Sequence, residues 1–333
     1  MSKNVILTDY DVSDTWDYKV ALENETCEKW EIRKCITNRL HGSKSKELLR
    51  YIRYFTFSFS VFFERNRYDK IIAWQQFYGI ILALYCAIFR VKKTFDIYVM
   101  TFIYKPKKNK LYSKMMKYVI KSGYITKFIV LSDSEIEYYS NLFDVSKECF
   151  FSTRIGVPDS TRRISTNNNG EKYYLSVGRS NRDYAFLRDA WKKEYGKLII
   201  VCDSYKEDPK DGIECIYGCY GDEYLKLVAN CYAEIIALKD DKISSGSLSF
   251  LQAMMMSKPT IVTENITVHD YITSGENGFI IPKSIRELER IIKLLDNDEI
   301  YSRVCSQARR TYEQNYSETA LGKHIGGMIK RTR

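Results

Sequence analysis

Histidine and paired cysteine are what this sequence has least of. Its three histidines, His41, His269 and His324, sit far apart in 333 residues, and no His/Cys/Asp group falls at the spacing that holds a metal ion. No metal and no cofactor are expected. The nine cysteines include no CxxC pair, and most lie inside apolar runs such as IIVCD and IECIYG. That placement reads as packed, reduced thiols in a reducing compartment, not as a disulfide framework. Glycine (16) and proline (5) are few, and neither a low-complexity tract nor an internal repeat is visible, which excludes a disordered scaffold and a solenoid. The first residues, MSKNVILTDYD, lack the long apolar core of a signal peptide, so a cytoplasmic protein is expected. No Ser/His/Asp set suggests a hydrolase.

What is present is charge, and it is unevenly placed. Residues 1–155 carry 26 Lys and Arg against 17 Asp and Glu, and within them 33–127 carry 21 basic residues against 4 acidic. A basic stretch mixed with Tyr, Phe and Trp seeks a polyanion. No zinc-finger spacing, aromatic RNA-binding motif or basic zipper accompanies it, so nucleic acid is not the expected partner. The anionic face of a membrane suits it better, although an ordinary solvated basic face would read the same way. The contacts would be made peripherally through KELLRYIRYFTFSFSVFFERNR and the lysines Lys105, Lys107, Lys108 and Lys110. The charge-free run 71–89 reaches the length that can cross a bilayer. Trp74, Gln75, Gln76 and Gly79 interrupt it, however, and the pattern predicts a buried strand, a turn and a buried helix.

Short β-rich runs alternate with helix-length amphipathic stretches throughout, which means α/β with parallel sheets. Strands are predicted at 4–8, 30–35, 71–74, 94–100, 128–132 and 149–155, and again at 173–177, 198–202, 214–217, 234–238, 260–263 and 279–281. The rhythm starts twice, on either side of the polar segment VPDSTRRISTNNNGEK. The expected organisation is a first Rossmann-like domain over 1–158, a linker over 159–172, a second Rossmann-like domain over 173–315 and a carboxy-terminal helix over 316–333 that packs back on the first domain. Ligands in such folds bind beyond the carboxyl ends of the strands, so the loops after strands hold the candidate residues.

The second domain opens with KYYLSVGRSNRDYAFLRDAW: a strand, a turn at Gly178, Arg179 and Arg182, then a helix. This is a geometry for anions, with Gly178 allowing close backbone approach, a helix start offering N–H groups and two guanidinium groups adding charge-assisted bonds. Further on, FLQAMMMSKPTIVT followed by ITSGENGFIIP resembles the nucleotide-binding domain of family-4, GT-B-fold glycosyltransferases, with SVGRSNRDYAFL and YGDEYLKLVANCYAEIIAL in the right order before it. The resemblance covers about 150 residues, and the first half looks diffusely like the amino-terminal domain of bacterial polysaccharide-type members. It implies two Rossmann-like domains facing across a cleft and a nucleotide-sugar donor bound by Gly178, Arg179, Arg182, Ser244, Ser245, Gly246, Ser247, Leu248 and Gln252. The family's helix carries two glutamates, one for the donor sugar and one for the ribose; here Ser244 and Gln252 stand at those positions. Asp240 and Asp241 are the nearest acids that could replace the first, and two exposed loop acids would look no different.

The loop TDYDVSDTWDYK after the first strand gathers Asp9, Asp11, Asp14 and Asp17 around Trp16. Asp14 and Asp17, with His269 of the second domain, are the catalytic candidates, and Asp11, Trp16, Trp74 and Gln75 are the acceptor-binding candidates. An acidic helix start would show the same acids. What the resemblance implies is a hexosyltransferase-type enzyme, retaining and metal-independent, which moves a sugar onto a lipid-linked or saccharide acceptor in bacterial surface polysaccharide synthesis, peripherally on the inner face of the cell membrane. Two other readings stand beside it: a catalytically degenerate partner subunit of the same fold, and a nucleotide-sugar epimerase of similar shape. The oligomeric state is not legible.

Overall fold

The computed structural model describes residues 4–106, 109–166, 171–205, 210–243 and 245–332. Of the residues singled out above, Lys107, Lys108, Ser244 and part of the 159–172 segment (167–170) lie outside them. The chain divides into two units, one made of Met1–Ile155 with Thr319–Arg333 and the other of Gly156–Glu318.

The first unit runs β1 (Asn4–Thr8), α1 (Asp17–Thr26), β2 (Trp30–Lys34), α2 (Lys44–Glu64), β3 (Lys70–Ala73), α3 (Gln76–Ile88), β4 (Asp96–Val99), α4 (Lys110–Lys121), β5 (Ile125–Val130), α5 (Asp133–Phe143) and β6 (Phe150–Ser152). The six strands form one sheet in the order β2-β1-β3-β4-β5-β6, parallel at every pairing. NVILT and KIIA are buried along their whole length, as strands of a parallel sheet covered on both faces must be. One face packs against α2, α3, α4 and α5 through Tyr54, Val61, Tyr78, Leu82, Met116 and Tyr139. The uncharged run 71–89 is thus a buried strand and a buried helix, and among the described residues no helix is long and apolar enough to cross a membrane.

The second unit runs β7 (Tyr173–Val177), α6 (Tyr184–Ala190), β8 (Lys197–Val201), β9 (Ile213–Ile216), α7 (Gly221–Asn230), β10 (Ala233–Ile236), α8 (Ser247–Met255), β11 (Thr260–Thr263), β12 (Phe279–Ile281), α9 (Ile285–Leu294) and α10 (Asp298–Thr311). Its sheet is also parallel, in the order β12-β11-β10-β7-β8-β9. Val157, expected at the end of the first domain, and residues 159–164, expected in the linker, are tied to this unit: Val157 N donates to Tyr316 O at 2.7 Å, Arg309 reaches Asp159 at 2.6 Å, and Ser160 and Ile164 are buried. The boundary expected between residues 315 and 316 falls at a π turn over Tyr312–Tyr316.

Beyond that turn, α11 (Glu318–Arg331) packs with the first unit, on the sheet face opposite α2 to α5. Leu321, Ile325, Met328 and Ile329 join Ile6, Trp16, Tyr18, Leu22, Trp30 and Ile72 in one cluster. The crossing with α1 is close enough to demand glycine. A Cβ on Gly322 would stand 2.4 Å from Tyr18 O and 2.8 Å from Ala21 Cβ, and one on Gly326 2.7 Å from Glu25 Cγ. Lys330 closes the contact on Glu25 at 2.7 Å.

These distances generate a prediction with an internal control. Gly322→Ala forces backbone apart and is expected to cost about 1–3 kcal/mol, whereas Gly327→Ala, on the same helix with open space at its Cβ, is expected to gain about 0.5–1 kcal/mol from helix propensity. Thermal unfolding of the two variants checks it; shifts of the same sign and size would mean that α11 does not press on α1.

Candidate functional site

In each sheet the strand order reverses once, and an open parallel sheet binds ligands beyond the carboxyl ends of the strands at that point. In the first unit the reversal lies between β1 and β3, in the second between β7 and β10. The loops after those four strands hold nearly every candidate residue named from the sequence.

In the second unit the loops after β7 and β10 are laced together. Asp183 N donates to Ala237 O at 2.8 Å, Asn181 Nδ2 to Asp240 O at 2.8 Å, and Asp240 N to Asn181 Oδ1 at 2.9 Å. Arg182 is the centre of this lacing. It was expected to be an exposed arginine free for a ligand; instead it is 8% exposed. Its Nε donates to Val177 O (2.7 Å), Nη1 to Ser180 O (3.0 Å) and Ser245 Oγ (3.1 Å), and Nη2 to Ser249 Oγ (3.3 Å). A rigid five-donor fork satisfied by neutral acceptors is how a guanidinium becomes buried. The same packing explains Gly178: its φ is +129°, and a Cβ there would lie 2.8 Å from the Arg182 guanidinium. Arg179, one residue into the turn, is exposed and has no bonded partner among the described residues.

The two helix starts differ. The start of α6 was expected to offer N–H groups to an anion, but Asp183 caps it, accepting from Phe186 N at 3.1 Å and from Lys283 Nζ at 3.1 Å. A carboxylate already occupies the place. Helix α8 starts at Gly246, φ +92°, with no side-chain cap, so the N–H groups of Ser247 and Leu248 begin an uncapped helix whose dipole favours an anion. Ser245, Gly246 and Ser247 are half-buried around it and Leu248 is 55% exposed. Gln252 is half-buried one turn on, with Oε1 accepting from Tyr224 OH at 3.1 Å. Asp240 and Asp241 are exposed loop acids. His269 lies in the turn after β11 and pairs with Glu264 at 2.8 Å.

Beneath these groups lies a carboxyl that the sequence reading did not single out. Along β10, Ala233 and Ile235 enter the core with Tyr174 and Leu198, so Glu234 and Ile236 point to the other face, where Ile236 meets Gly246. Glu234 is 0% exposed, and among the described residues neither of its oxygens has a hydrogen-bond partner. Its register neighbour on β11, Thr260, is buried, and its hydroxyl also has no partner among the described residues. Burial pushes the Glu234 carboxyl up to about 8, with the Arg182 charge pulling the other way. A lone acid between Ala and Ile in a central strand is the signal that marks it.

In the first unit, Asp9 is brought to Gln75, whose Nε2 donates to Asp9 Oδ2 at 3.2 Å, and Trp74 N donates to Leu7 O at 2.9 Å, which fixes the β3 loop against β1. Trp16 was expected to be an open platform for a sugar. It is 7% exposed, wedged 4.6 Å from Trp74 and 4.9 Å from Tyr18, and the aromatic surface left partly open belongs to Tyr10 and Trp74. The four aspartates do not converge. Asp11 pairs with Lys34 at 2.8 Å, which holds its carboxyl below the usual range; Asp14 lies 3.7 Å from Lys19; and Asp17 lines a shallow groove between α1 and α11 with Glu25 and Lys323. Among the described residues no three His, Cys, Asp or Glu side chains group to hold a metal ion.

No protein-family model and no curated protein matches the chain by sequence. Solved structures match along its whole length. A structure of Alr3699/HepE from Anabaena in complex with UDP is 12% identical with a TM-score of 0.62, covering 98% of this chain and 100% of that one. A glycosyltransferase from Rickettsia africae is 12% identical with a TM-score of 0.64, covering 99% and 98%. WaaG, a glycosyltransferase involved in lipopolysaccharide biosynthesis, is 11% identical with a TM-score of 0.52, covering 98% and 99%. With its two six-stranded parallel sheets and flanking helices, the chain has the fold of the GT-B glycosyltransferases.

Proposed function

We propose that this protein is a glycosyltransferase that takes a sugar from a nucleoside diphosphate donor bound at the β7/β10 end of the second unit and passes it to a lipid-linked or saccharide acceptor. The observation that carries this reading is the convergence, at one strand-order reversal, of a glycine turn, the exposed Arg179, the buried charge of Arg182 and the start of α8, which has no side-chain cap. Glycosyl transfer from such a donor leaves a diphosphate as the C–O bond to the sugar breaks. Negative charge grows on the oxygen that departs, and N–H groups and guanidinium groups already in place stabilise it without reorganisation. The seats of these groups on rigid strands supply that preorganisation. Gln252 presents its amide N–H groups, because Tyr224 occupies its oxygen. The structure of HepE in complex with UDP makes UDP the first probe, and a retaining outcome and a role in surface polysaccharide synthesis belong to the same proposal.

The proposed place of work is an anionic membrane face. Leu48, Ile52, Phe55, Phe59 and Phe63 recur at steps of three or four along α2 and are all exposed, so they form one apolar stripe. Lys44, Lys46, Arg50, Arg53, Arg65 and Arg67 lie on or beside that helix, and α4 carries Lys110, Lys114, Lys117 and Lys121 with no acid. Apolar insertion with a basic surround matches an anionic lipid surface.

Two measurements follow. Calorimetry is expected to show UDP binding, weakened about 10–100-fold by Arg179→Ala, the loss of one charge-assisted contact worth about 1.5–3 kcal/mol, with thermal stability unchanged. Arg182→Ala is expected to lose binding and melt earlier, since it removes the four hydrogen bonds that tie the two loops together and strands the buried Ser249 hydroxyl. If no nucleoside diphosphate or nucleotide sugar binds the folded wild-type chain, the proposal fails. Cosedimentation is expected with anionic but not neutral vesicles, reduced as the screening length falls from about 10 Å at 0.1 M salt to about 3 Å at 1 M. Combined Phe55→Ser, Phe59→Ser and Phe63→Ser is expected to remove the part that resists salt. Equal binding to neutral and anionic vesicles would overturn the membrane assignment.

A further inference from the structure

Glu234 has no role in the chemistry above, yet its placement is costly. A buried carboxyl with neither oxygen hydrogen-bonded is among the least favourable groups a strand can carry. Among the described residues of the second unit, Arg182 is the one buried cation, and Glu234 and Glu318 are the buried acids. The Arg182 charge acts on Glu234. The other titratable groups that the Glu234 charge reaches are Tyr184 at the start of α6, Tyr224 on α7 and Cys231 just before β10. Burial pushes all three far above their ordinary ranges, so they stay neutral from pH 6 to 9. The balance at this spot is therefore between two groups, a guanidinium that is always charged and a carboxyl that is not.

We propose that Glu234 is a positioning residue for the donor diphosphate: it sets the charge of the Arg182 turn, and nucleotide binding there takes up one proton at Glu234. This rests on the donor site proposed above. An ionised Glu234 offsets the Arg182 charge and faces the diphosphate as a like charge across a poorly screened interior; a protonated one leaves the turn cationic. The bound anion in turn raises the affinity of Glu234 for its proton, as linkage requires. The sign follows. The protonated form binds the anion better, so affinity is flat where Glu234 is already protonated and falls as pH rises through about 8, where burial has placed its titration. The terminal phosphate of UDP titrates near pH 6, below this window, and gains charge as pH rises, so it does not produce a fall at higher pH.

The experiment is calorimetry of UDP with the full-length chain from pH 6.5 to 9.5, repeated in buffers of different ionisation enthalpy so that proton uptake is counted directly. The expected result for the wild type is constant affinity near pH 7, a loss of about tenfold per pH unit above 8, and uptake approaching one proton per UDP there. Glu234→Gln keeps the shape and removes the titration; it is expected to bind UDP at pH 7 about as well as the wild type, to lose the pH dependence and to take up no proton. Should that variant not fold, infrared difference spectra of the wild type at pH 8.5 replace it, with a protonated carboxyl band appearing on UDP addition. A wild type whose affinity and proton count do not change with pH, a folded Glu234→Gln that still takes up the proton, or no new carboxyl band would overturn the assignment while leaving the donor site standing. Absence of UDP binding at every pH would sink the donor site itself, and this inference with it.

Discussion

The end of the second unit proposed to hold the donor depends on one buried guanidinium. Arg182 ties the loop after β7 to the loop and helix after β10 through Val177, Ser180, Ser245 and Ser249. Two loops that are distant in sequence thereby become one surface. All four acceptors are neutral, so the hydrogen bonds fix the cation without cancelling it. A charge held in a poorly screened interior acts at longer range than one in water, and the turn above it remains attractive to anions even though Arg182 itself is not exposed. Arg179 is exposed, and in the proposed site it meets the ligand directly.

The first unit solves a different problem, that of covering both faces of a six-stranded sheet with a chain that leaves and comes back. Helix α11 supplies the missing layer, and its glycines let it lie against the α1 backbone at a distance no other residue permits. Because α1 begins at Asp17, directly after the β1 loop, the same contact sets where that loop runs. Trp16, Tyr18 and Trp74 lock into a packed cluster, and the acids around them are drawn off to Lys34, Lys19 and the α1–α11 groove. What stays at the strand ends is the Asp9–Gln75 pair with the partly open rings of Tyr10 and Trp74. These can hydrogen-bond and stack on a sugar, which is the chemistry first assigned to Trp16.

The strands and their two starts were legible because a parallel strand buried on both faces is apolar along its length, and NVILT, KIIA, KLIIV and TIVT have few other uses. Loop positions of candidate residues were legible for the same reason, since strand ends are easy to see. Side-chain direction was not. Arg182 and Trp16 look exposed in sequence because arginine and a tryptophan among aspartates usually are, and only the partners contributed by distant segments, Ser245 and Ser249 for one and Trp74 for the other, turn them inward. Glu234 was passed over for a related reason: a period-2 reading treats a single acid in an apolar run as an edge or an exception, whereas here it is a central-strand residue with a neighbour on each side.

Glu234 also bears on Gln252, which stands where the resemblance drawn from the sequence implies a ribose-binding glutamate. Tyr224 stands between the two positions: its hydroxyl donates to Gln252 Oε1, and the charge of Glu234 acts on it. A carboxylate at 252 would place a second acid on the same tyrosine, near a buried acid that already resists ionisation, and like charges in a poorly screened interior raise each other's proton affinity. A neutral amide at 252 avoids that conflict and still presents two N–H donors. On this view the amide on the helix and the acid in the strand are one adjustment. In the proposed site the carboxyl sits below the helix, where it acts through Arg182, and a neutral amide faces the nucleotide from the helix.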